Sequence, residues 1–486
     1  MGARTGEEFL NGLATGTREV WLGDERVDDI VGHPAFLGAA HSLASVFDAQ
    51  HVHADQCLMT DEVSGEQVNV SHLIPRSIED LKRRRIGLTR ISEQTVGLMG
   101  RTPDYMNVTY AGFAGERTPW SGPDGRNTGG YENLQAFQRR LALDDLSLTH
   151  TIVQPTIDRA IDNINYVNNP VPLHKVGETP DTIIVRGARI LSTLAPFADE
   201  IAVYPGLPLP AGTPAEYGLS FSIPMSTPGL IFLCRDNAAT IGSNAFDHPL
   251  SSRFDEQDAF VIFDNVEIPK EWVFIDGDPE TYSSVMGATG WWPNIMQQTT
   301  TRALTKMEFA YGLGCRLAEA VNDTQPTTAD MLGEIAAYID ITRAALDNAE
   351  DMAFDRGDGA VFPHPRPLHP LRSLLATWFP RVRDILVTIG SHNLLAAPSR
   401  GMLRDERMSA LAAEFLHGAG DMAAERRAAL HRLAWDFVGS GLAGRNDLYE
   451  RNYLGSARNN RMHLHGMYFD RTSAYELVES MLAPVW

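Results

Sequence analysis

Apolar residues recur at helical intervals over the first third of the chain. Phe9, Leu10 and Leu13 form a stripe behind Thr5-Gly-Glu-Glu8, where Thr5 is placed to cap a helix and Glu8 stands at the capping-box position. His33-Pro34 precedes a small-residue run through Val46; residues 78–99 are rich in Leu and Arg before Gly100; 131–140 keeps the same period. The pattern changes after Pro170. The run from Thr182 to Leu191 predicts a strand, a tight glycine turn and a second strand, and short apolar strands are predicted at 200–204, 217–223, 230–234 and 259–263. Together, 170–275 reads as a compact β region. From about residue 294 the helical period returns with Leu304, Met307, Phe309, Ala310, Leu313 and Leu317. A second helix is predicted over 331–355, a proline-marked loop at Pro363, Pro365, Pro367 and Pro370, and a third helix over 371–386 that Pro380 breaks or kinks. Segments 408–416 and 421–438 complete a helical bundle.

Composition narrows the function classes. At 486 residues, with 43% hydrophobic content, the chain is long enough for two or three packed regions. A formal net charge of -21 argues against broad nucleic-acid binding, which needs basic patches to neutralise phosphates. The one basic run, Lys82-Arg83-Arg84-Arg85, sits beside Glu79 and Asp80 and reads as a solvated helix face. Cys57, Cys234 and Cys315 have neither zinc-site nor redox-pair spacing, so reduced thiols and a cytoplasmic location are expected. No run of about 18 apolar residues predicts a membrane span. His51 with His53, and His463 with His465, are local pairs without further spaced ligands, so no metal site is expected. No glycine-rich loop opens a βαβ unit, which leaves a Rossmann site or a P-loop without support.

Four stretches carry candidate chemistry. In GRTPDYMN (100–107), Thr102 can cap a helix, Pro103 suits its first position and Asp104 its first turn. That explains the middle of the stretch but not Arg101 and Tyr105, which serve either a salt bridge and a core anchor or a bound molecule. His150, ending DDLSLTH, is either a satisfied structural histidine or a group that exchanges a proton with an oxygen substituent. Thr193 follows an apolar strand and either satisfies buried backbone or hydrogen-bonds a heteroaromatic ring. In GSHNLLAAPS (390–399), Gly390 and Ser391 permit close backbone approach and Asn393 offers an amide; the plain reading is a helix end and turn.

Taken together, these stretches resemble the 4-hydroxyphenylacetate 3-hydroxylase family, the oxygenase component of two-component flavin-dependent phenol monooxygenases. The resemblance runs through TGEEFL, GHPAF, GRTPDYMN, LTHTIVQPTIDR, VRGARILSTLAPFADE, PMSTPGLIFLCR, SSRFDEQDAFVIFDNVEIP and WDFVGSGLAGRNDLYERNYLG, nearly the whole chain in order. It implies an α+β, acyl-CoA dehydrogenase-like fold: a mainly helical domain over 1–150, a central β-barrel-like domain over 151–280, and a C-terminal helical bundle with an oligomerisation tail over 281–486. It also implies a homotetramer with flavin sites that involve a neighbouring subunit.

The implied reaction starts from FAD reduced by a separate flavin reductase with NADH or NADPH. The oxygenase binds FADH2, O2 adds to form a C4a-hydroperoxyflavin, and the distal oxygen goes to the carbon ortho to a phenolic hydroxyl. Arg101, Tyr105 and His150 carry over as catalytic residues, with His150 on the phenolic oxygen. Thr193 carries over to the flavin N5 and C4a region, Gln154 and Thr156 to the isoalloxazine, and Ser391, His392 and Asn393 to the cofactor from the bundle. The last turn departs from the GSG-like turn of many relatives. The loop from Pro205 to Tyr217 is the candidate substrate cover and holds no basic residue to grip an acetate carboxylate. This weakens a simple 4-hydroxyphenylacetate assignment, and GSHNLLAAPS resembles the natural-product tyrosine and β-tyrosine hydroxylase branch, so a tyrosine-like or other hydroxyphenyl group is expected, free or tethered to a peptidyl carrier protein. The alternatives are a chlorophenol monooxygenase and a non-catalytic carrier-binding homologue. A flavin-dependent hydroxyacyl-CoA dehydratase of the same fold needs clustered cysteines, which this chain lacks.

Overall fold

A computed structural model describes residues 2–157, 169–240 and 243–482. The last two residues of LTHTIVQPTIDR and the final four of the C-terminal tail lie outside these. The first helix, Gly6–Thr15, opens on the expected capping box: Thr5 accepts from the Glu8 backbone and the Glu8 side chain accepts from the Thr5 backbone. Helices Leu37–Val52, Ile78–Gln94, Pro103–Ala114 and Thr128–Leu143 follow. Pro103 stands in the first turn of its helix as expected, but the Thr102 side chain does not cap the backbone.

Strands between Leu148 and Asp276, joined by two from near the N-terminus, build two open sheets. The six-stranded one runs Glu25–Arg26, Glu19–Leu22, Leu230–Cys234, Asp258–Pro269, Thr182–Thr193, His174–Glu178. The four-stranded one runs Val273–Asp276, Leu219–Pro224, Glu200–Val203, Leu148–Thr151, with the last pair parallel. The expected barrel-like centre is thus a pair of open mixed sheets, not a closed barrel, and an N-terminal strand pairs in parallel with Leu230–Cys234. The strand–turn–strand predicted at 182–191 is one 12-residue strand. Gly187, at φ 124°, does not reverse the chain. It lies at the edge of an irregular pairing between Phe263 and Val266, and a Cβ there would meet the Pro172 carbonyl at 2.5 Å. A glycine inside a strand here marks a bulge and a close approach.

Three long helices, Trp291–Ala320, Pro326–Asp351 and Pro365–Gly390, form the bundle with Ala424–Val438 and Gly441–Asn452. The prolines at 365–370 start a helix rather than mark a loop, since Pro365 takes the first turn where its missing N–H costs nothing. That helix continues through Pro370 and Pro380 without a break. Order along the chain is helices, sheets, helical bundle, the expected α+β order.

Met307, Ala310, Leu313 and Leu317 are buried in the bundle core, with Leu304 and Phe309 packed partly against it. A second core joins the first helices to the sheets through Phe9, Phe36, Phe197, Phe221 and Phe232. A third, rich in Tyr and Trp, lies between Pro103–Ala114, the four-stranded sheet and the start of Trp291–Ala320. The basic run is not uniformly solvated. Arg84 is fully buried and donates to Gln297 at 2.9 Å and Asn294 at 2.7 Å, while Lys82 and Arg85 pair with acids of the second bundle helix. The run therefore clamps Ile78–Gln94 to the bundle.

Candidate active site

Arg101 precedes the Pro103–Ala114 helix and its N-cap Thr102, and Tyr105 lies in the first turn. The guanidinium carbon sits 4.0 Å from the Tyr105 ring centroid, a cation–π contact. Tyr105 stacks on His150 with centroids 5.3 Å apart, and His150 stacks on Tyr204 at 5.4 Å. His150 comes from Leu148–Thr151, and Tyr204 directly follows the strand paired with it in parallel. Two neighbouring strands thus continue the pile that begins at the N-terminus of the helix. All four side chains are buried.

The electrostatics of this pile are fixed from behind. The Glu256 carboxylate accepts from the backbone N–H groups of Gly100 at 2.9 Å and Arg101 at 3.0 Å. Arg445 donates to Glu256 at 2.7 Å and grips Asp258 through two nitrogens. Arg101 itself donates to the Tyr449 hydroxyl at 2.5 Å, and Tyr449 stacks on Tyr453. Burial works against the Arg101 charge, but Tyr449, Tyr105 and Glu256 around it keep it cationic. Burial, reinforced by the Arg101 charge, pushes His150 well below the ordinary imidazole range. It is therefore neutral at pH 7, with one nitrogen able to accept, and its Nδ1 has no hydrogen-bond partner among the described residues. Burial, with Tyr105 beside it, pushes the Tyr204 phenol well above its usual value, so Tyr204 stays protonated.

Thr193 ends its strand directly opposite Asp258 and is buried. Its hydroxyl donates to Asp258 at 2.7 Å, and its carbonyl accepts from Thr149, the neighbour of His150, at 2.5 Å. Gln154 follows the His150 strand. Its carbonyl oxygen accepts from the Leu173 backbone at 3.2 Å, while its amide nitrogen is buried without a partner among the described residues. Thr156 is exposed. Around these residues Val153, Ile190 and Leu191 present exposed apolar side chains, with Ile190 bridged to Val153. An apolar sheet edge with an unpartnered amide, an unpartnered imidazole nitrogen and a threonine hydroxyl suits a flat heteroaromatic ring with polar edges.

The structure thus brings Arg101, Tyr105 and His150 into one stack, and joins Thr193 to it through Thr149. Ser391, His392 and Asn393 lie elsewhere in the chain, after the Pro365–Gly390 helix. Ser391 and His392 are exposed; Ser391 contacts its neighbour His392, and Asn393 accepts from Arg427 at 3.1 Å, so their hydrogen bonds stay within the bundle.

Two family models match the chain: 4-hydroxyphenylacetate 3-hydroxylase N terminal over residues 5–275, and its C terminal counterpart over 283–483. The chain belongs to the 4-hydroxyphenylacetate 3-hydroxylase family. It is 36% identical to the 4-hydroxyphenylacetate 3-monooxygenase oxygenase component of Thermus thermophilus, over 93% of this chain and 92% of that one. It is 30% identical, over 95% and 86%, to a Streptomyces globisporus monooxygenase named for (3S)-3-amino-3-(3-chloro-4-hydroxyphenyl)propanoyl on the peptidyl-carrier protein SgcC2. Among solved structures, the HpaB oxygenase component complexed with FAD and 4-hydroxyphenylacetate superposes with a TM-score of 0.92, at 33% identity and 99% coverage of both chains. An archaeal 4-hydroxybutyryl-CoA dehydratase shares the fold at a TM-score of 0.88 but only 16% identity. That likeness is one of fold alone.

Within this family chain, several residues of the site had no role assigned from the sequence: Tyr204, Glu256, Asp258, Arg445 and Tyr449. The signal lay in the acid-rich DEQD that opens an otherwise apolar strand, and in the Arg-Asn-Asp-Leu-Tyr spacing at 445–449. Nothing in either pattern says which arginine meets which acid across 187 residues of separation.

Proposed function

We propose that this protein is the oxygenase component of a two-component monooxygenase that uses reduced FAD and O2 to hydroxylate a phenol ortho to its hydroxyl. The observation that carries this reading is the buried Arg101–Tyr105–His150–Tyr204 stack, with a cation at one end and a neutral imidazole inside it. When bound, reduced flavin supplies, with O2, the electrophilic oxygen that the ring accepts. The protein must hold the phenol and enrich its ortho carbon in electrons. A free phenol has a pKa of about 10 and is protonated at pH 7. Neutral His150 accepts the phenolic hydrogen, and the nearby Arg101 cation favours the negative charge left on the oxygen. Tyr204 stays a hydrogen-bond donor because its own pKa is raised. Gln154, Thr156 and Thr193 hold the flavin ring along the sheet edge, with the apolar Val153, Ile190 and Leu191 keeping water from it.

For substrate, this reading favours a tyrosine-like phenol, free or carrier-tethered. The Streptomyces relative is named for a tethered phenol, and the 205–217 loop has no basic side chain. This loop leans on the body of the protein through Leu209 to Ser283 at 3.0 Å and through the Tyr217 ring against His174. Oligomerisation belongs to the same proposal. The Thr472–Leu482 helix exposes Tyr475, Leu477, Val478 and Met481, as a helix covered by a second copy would. In a homotetramer, the Ser391-His392-Asn393 turn, exposed at its first two residues, reaches the flavin of a neighbouring copy rather than its own. A separate reductase supplies the reduced flavin, and no helix among the described residues is long and apolar enough to cross a membrane. Cytoplasmic location fits the three unpaired cysteines.

The test is an anaerobic titration of the purified protein with reduced FAD, followed by aerobic turnover with 4-hydroxyphenylacetate, β-tyrosine and carrier-tethered β-tyrosine. Binding of reduced FAD and an ortho-hydroxylated product from a tyrosine-like substrate are expected. A preference for 4-hydroxyphenylacetate over both forms of β-tyrosine would contradict the substrate reading.

A further inference from the structure

Thr193 and Asp258 are direct cross-strand partners, so their side chains stand on the same face of the six-stranded sheet. A threonine hydroxyl has one hydrogen to donate and two lone pairs to accept with. That hydrogen is committed: Oγ1 of Thr193 donates to Oδ1 of Asp258 at 2.7 Å. The carboxylate cannot return the bond while ionised, and its surroundings keep it so. Oδ1 also accepts from Arg445 Nη2 at 2.7 Å, and Oδ2 accepts from Arg445 Nε at 2.9 Å and Arg235 Nε at 3.0 Å. Burial alone would raise the Asp258 pKa, but the two guanidiniums outweigh it and hold the group well below the usual carboxylate range.

We infer that Asp258 is a positioning residue that turns Thr193 into an obligate hydrogen-bond acceptor, and so makes the site select reduced over oxidised flavin. This rests on the proposed placement of Thr193 beside the flavin N5. The chemistry of that atom decides the sign: N5 of reduced flavin carries a hydrogen and donates, whereas N5 of oxidised flavin has a lone pair and accepts. An acceptor-only hydroxyl pairs with the first and sets lone pair against lone pair with the second. To serve oxidised flavin, Thr193 would have to take its hydrogen away from a buried carboxylate. An oxygenase supplied by a separate reductase gains from this: reduced flavin is retained and oxidised flavin is released.

The experiment measures dissociation constants for reduced and for oxidised FAD, in anaerobic and aerobic titrations followed by tryptophan fluorescence. The variants are Thr193→Val, Thr193→Ser, Asp258→Asn and the Thr193→Val/Asp258→Asn double mutant. Wild type and T193S bind reduced FAD more tightly. T193V, which leaves Asp258 and its arginines in place, weakens reduced FAD by about tenfold and leaves oxidised FAD unchanged or tighter. D258N gives position 258 an N–H that can donate to the Thr193 hydroxyl, so the hydroxyl hydrogen is no longer committed, and the preference narrows mainly through tighter binding of oxidised FAD. In the T193V background the same change has no further effect on the preference, because no hydroxyl remains to reorient. Equal weakening of both forms by T193V would overturn the inference, even if D258N proves unstable. So would a D258N protein that folds and keeps the wild-type preference. Wild-type protein that binds neither form would overturn the functional reading itself, a distinguishable result.

Discussion

His150 is held neutral by two effects that act in the same direction, burial and the Arg101 charge. Its task in the proposed reaction is to accept a phenolic hydrogen, which alanine cannot do. His150→Ala is expected to lower ortho-hydroxylation by about 10²–10⁴-fold. Reduced-FAD affinity should stay within about threefold in the same variant, measured by anaerobic titration. Parallel losses in product and in flavin affinity would place His150 on the cofactor instead. A second histidine gives a stability test. His72 is buried with neither ring nitrogen hydrogen-bonded among the described residues, and burial pushes it down to about 3. The unfolded chain binds a proton near pH 6.5 and the folded chain does not, so this residue's stability contribution falls as pH drops from about 6.5 toward 3. The slope is about 1.4 kcal/mol per pH unit. Asp104, which burial pushes up to about 6, works the other way, losing its contribution as pH rises from about 4 to 6. His72→Leu should therefore flatten the loss of urea stability between pH 7 and 5; an unchanged slope would contradict this account of its burial.

At the scale of elements, the approach of two segments sets the site. Gly100 lies against Tyr449 so closely that a Cβ would fall 2.2 Å from the phenolic oxygen. Tyr449 cannot swing away freely, because its ring stacks on Tyr453 and its hydroxyl holds Arg101. Gly100→Ala should displace Tyr449 and lower turnover roughly tenfold or more, whereas Tyr449→Phe removes only one hydrogen bond, about 1–2 kcal/mol. Steady-state assays of the two variants check the order. Helix and strand positions here were mostly legible because a half-buried element writes its period into the sequence, as Leu313 and Leu317 do. Gly187 does not turn the chain and Pro380 does not break its helix, for a shared reason. Both residues punctuate isolated chain, yet packing against Leu173 and the length of a well-buried helix carried the element through. Arg84 was misread because a charge run gives no sign of which member has a buried amide partner.

Across the whole molecule, the N-terminal helices and the bundle meet at buried charge. Arg302 on the first bundle helix donates to Glu450 at 2.9 and 3.0 Å and to the Gly97 carbonyl at 2.8 Å, and Lys306 also donates to Glu450 at 2.8 Å. Glu450→Gln leaves two buried cations short of a counter-charge and is expected to cost about 3–5 kcal/mol in urea unfolding. A loss below about 1 kcal/mol would mean the cluster is solvated in solution. The stack of Arg101, Tyr105 and His150 could be anticipated from the resemblance, residue by residue. Tyr204 and the acid–arginine lattice behind the stack could not, because their meeting depends on sheet order and on how the bundle closes over it. The central claim is that this stack hydroxylates a phenol at the expense of reduced FAD. The most direct measurement mixes the protein, preloaded anaerobically with one equivalent of reduced FAD and a tyrosine-like phenol, with oxygenated buffer, and quantifies product by mass spectrometry. The account predicts a product heavier by one oxygen, ortho to the hydroxyl, in near-stoichiometric yield. Bound reduced FAD that yields only hydrogen peroxide with every phenol offered would contradict it.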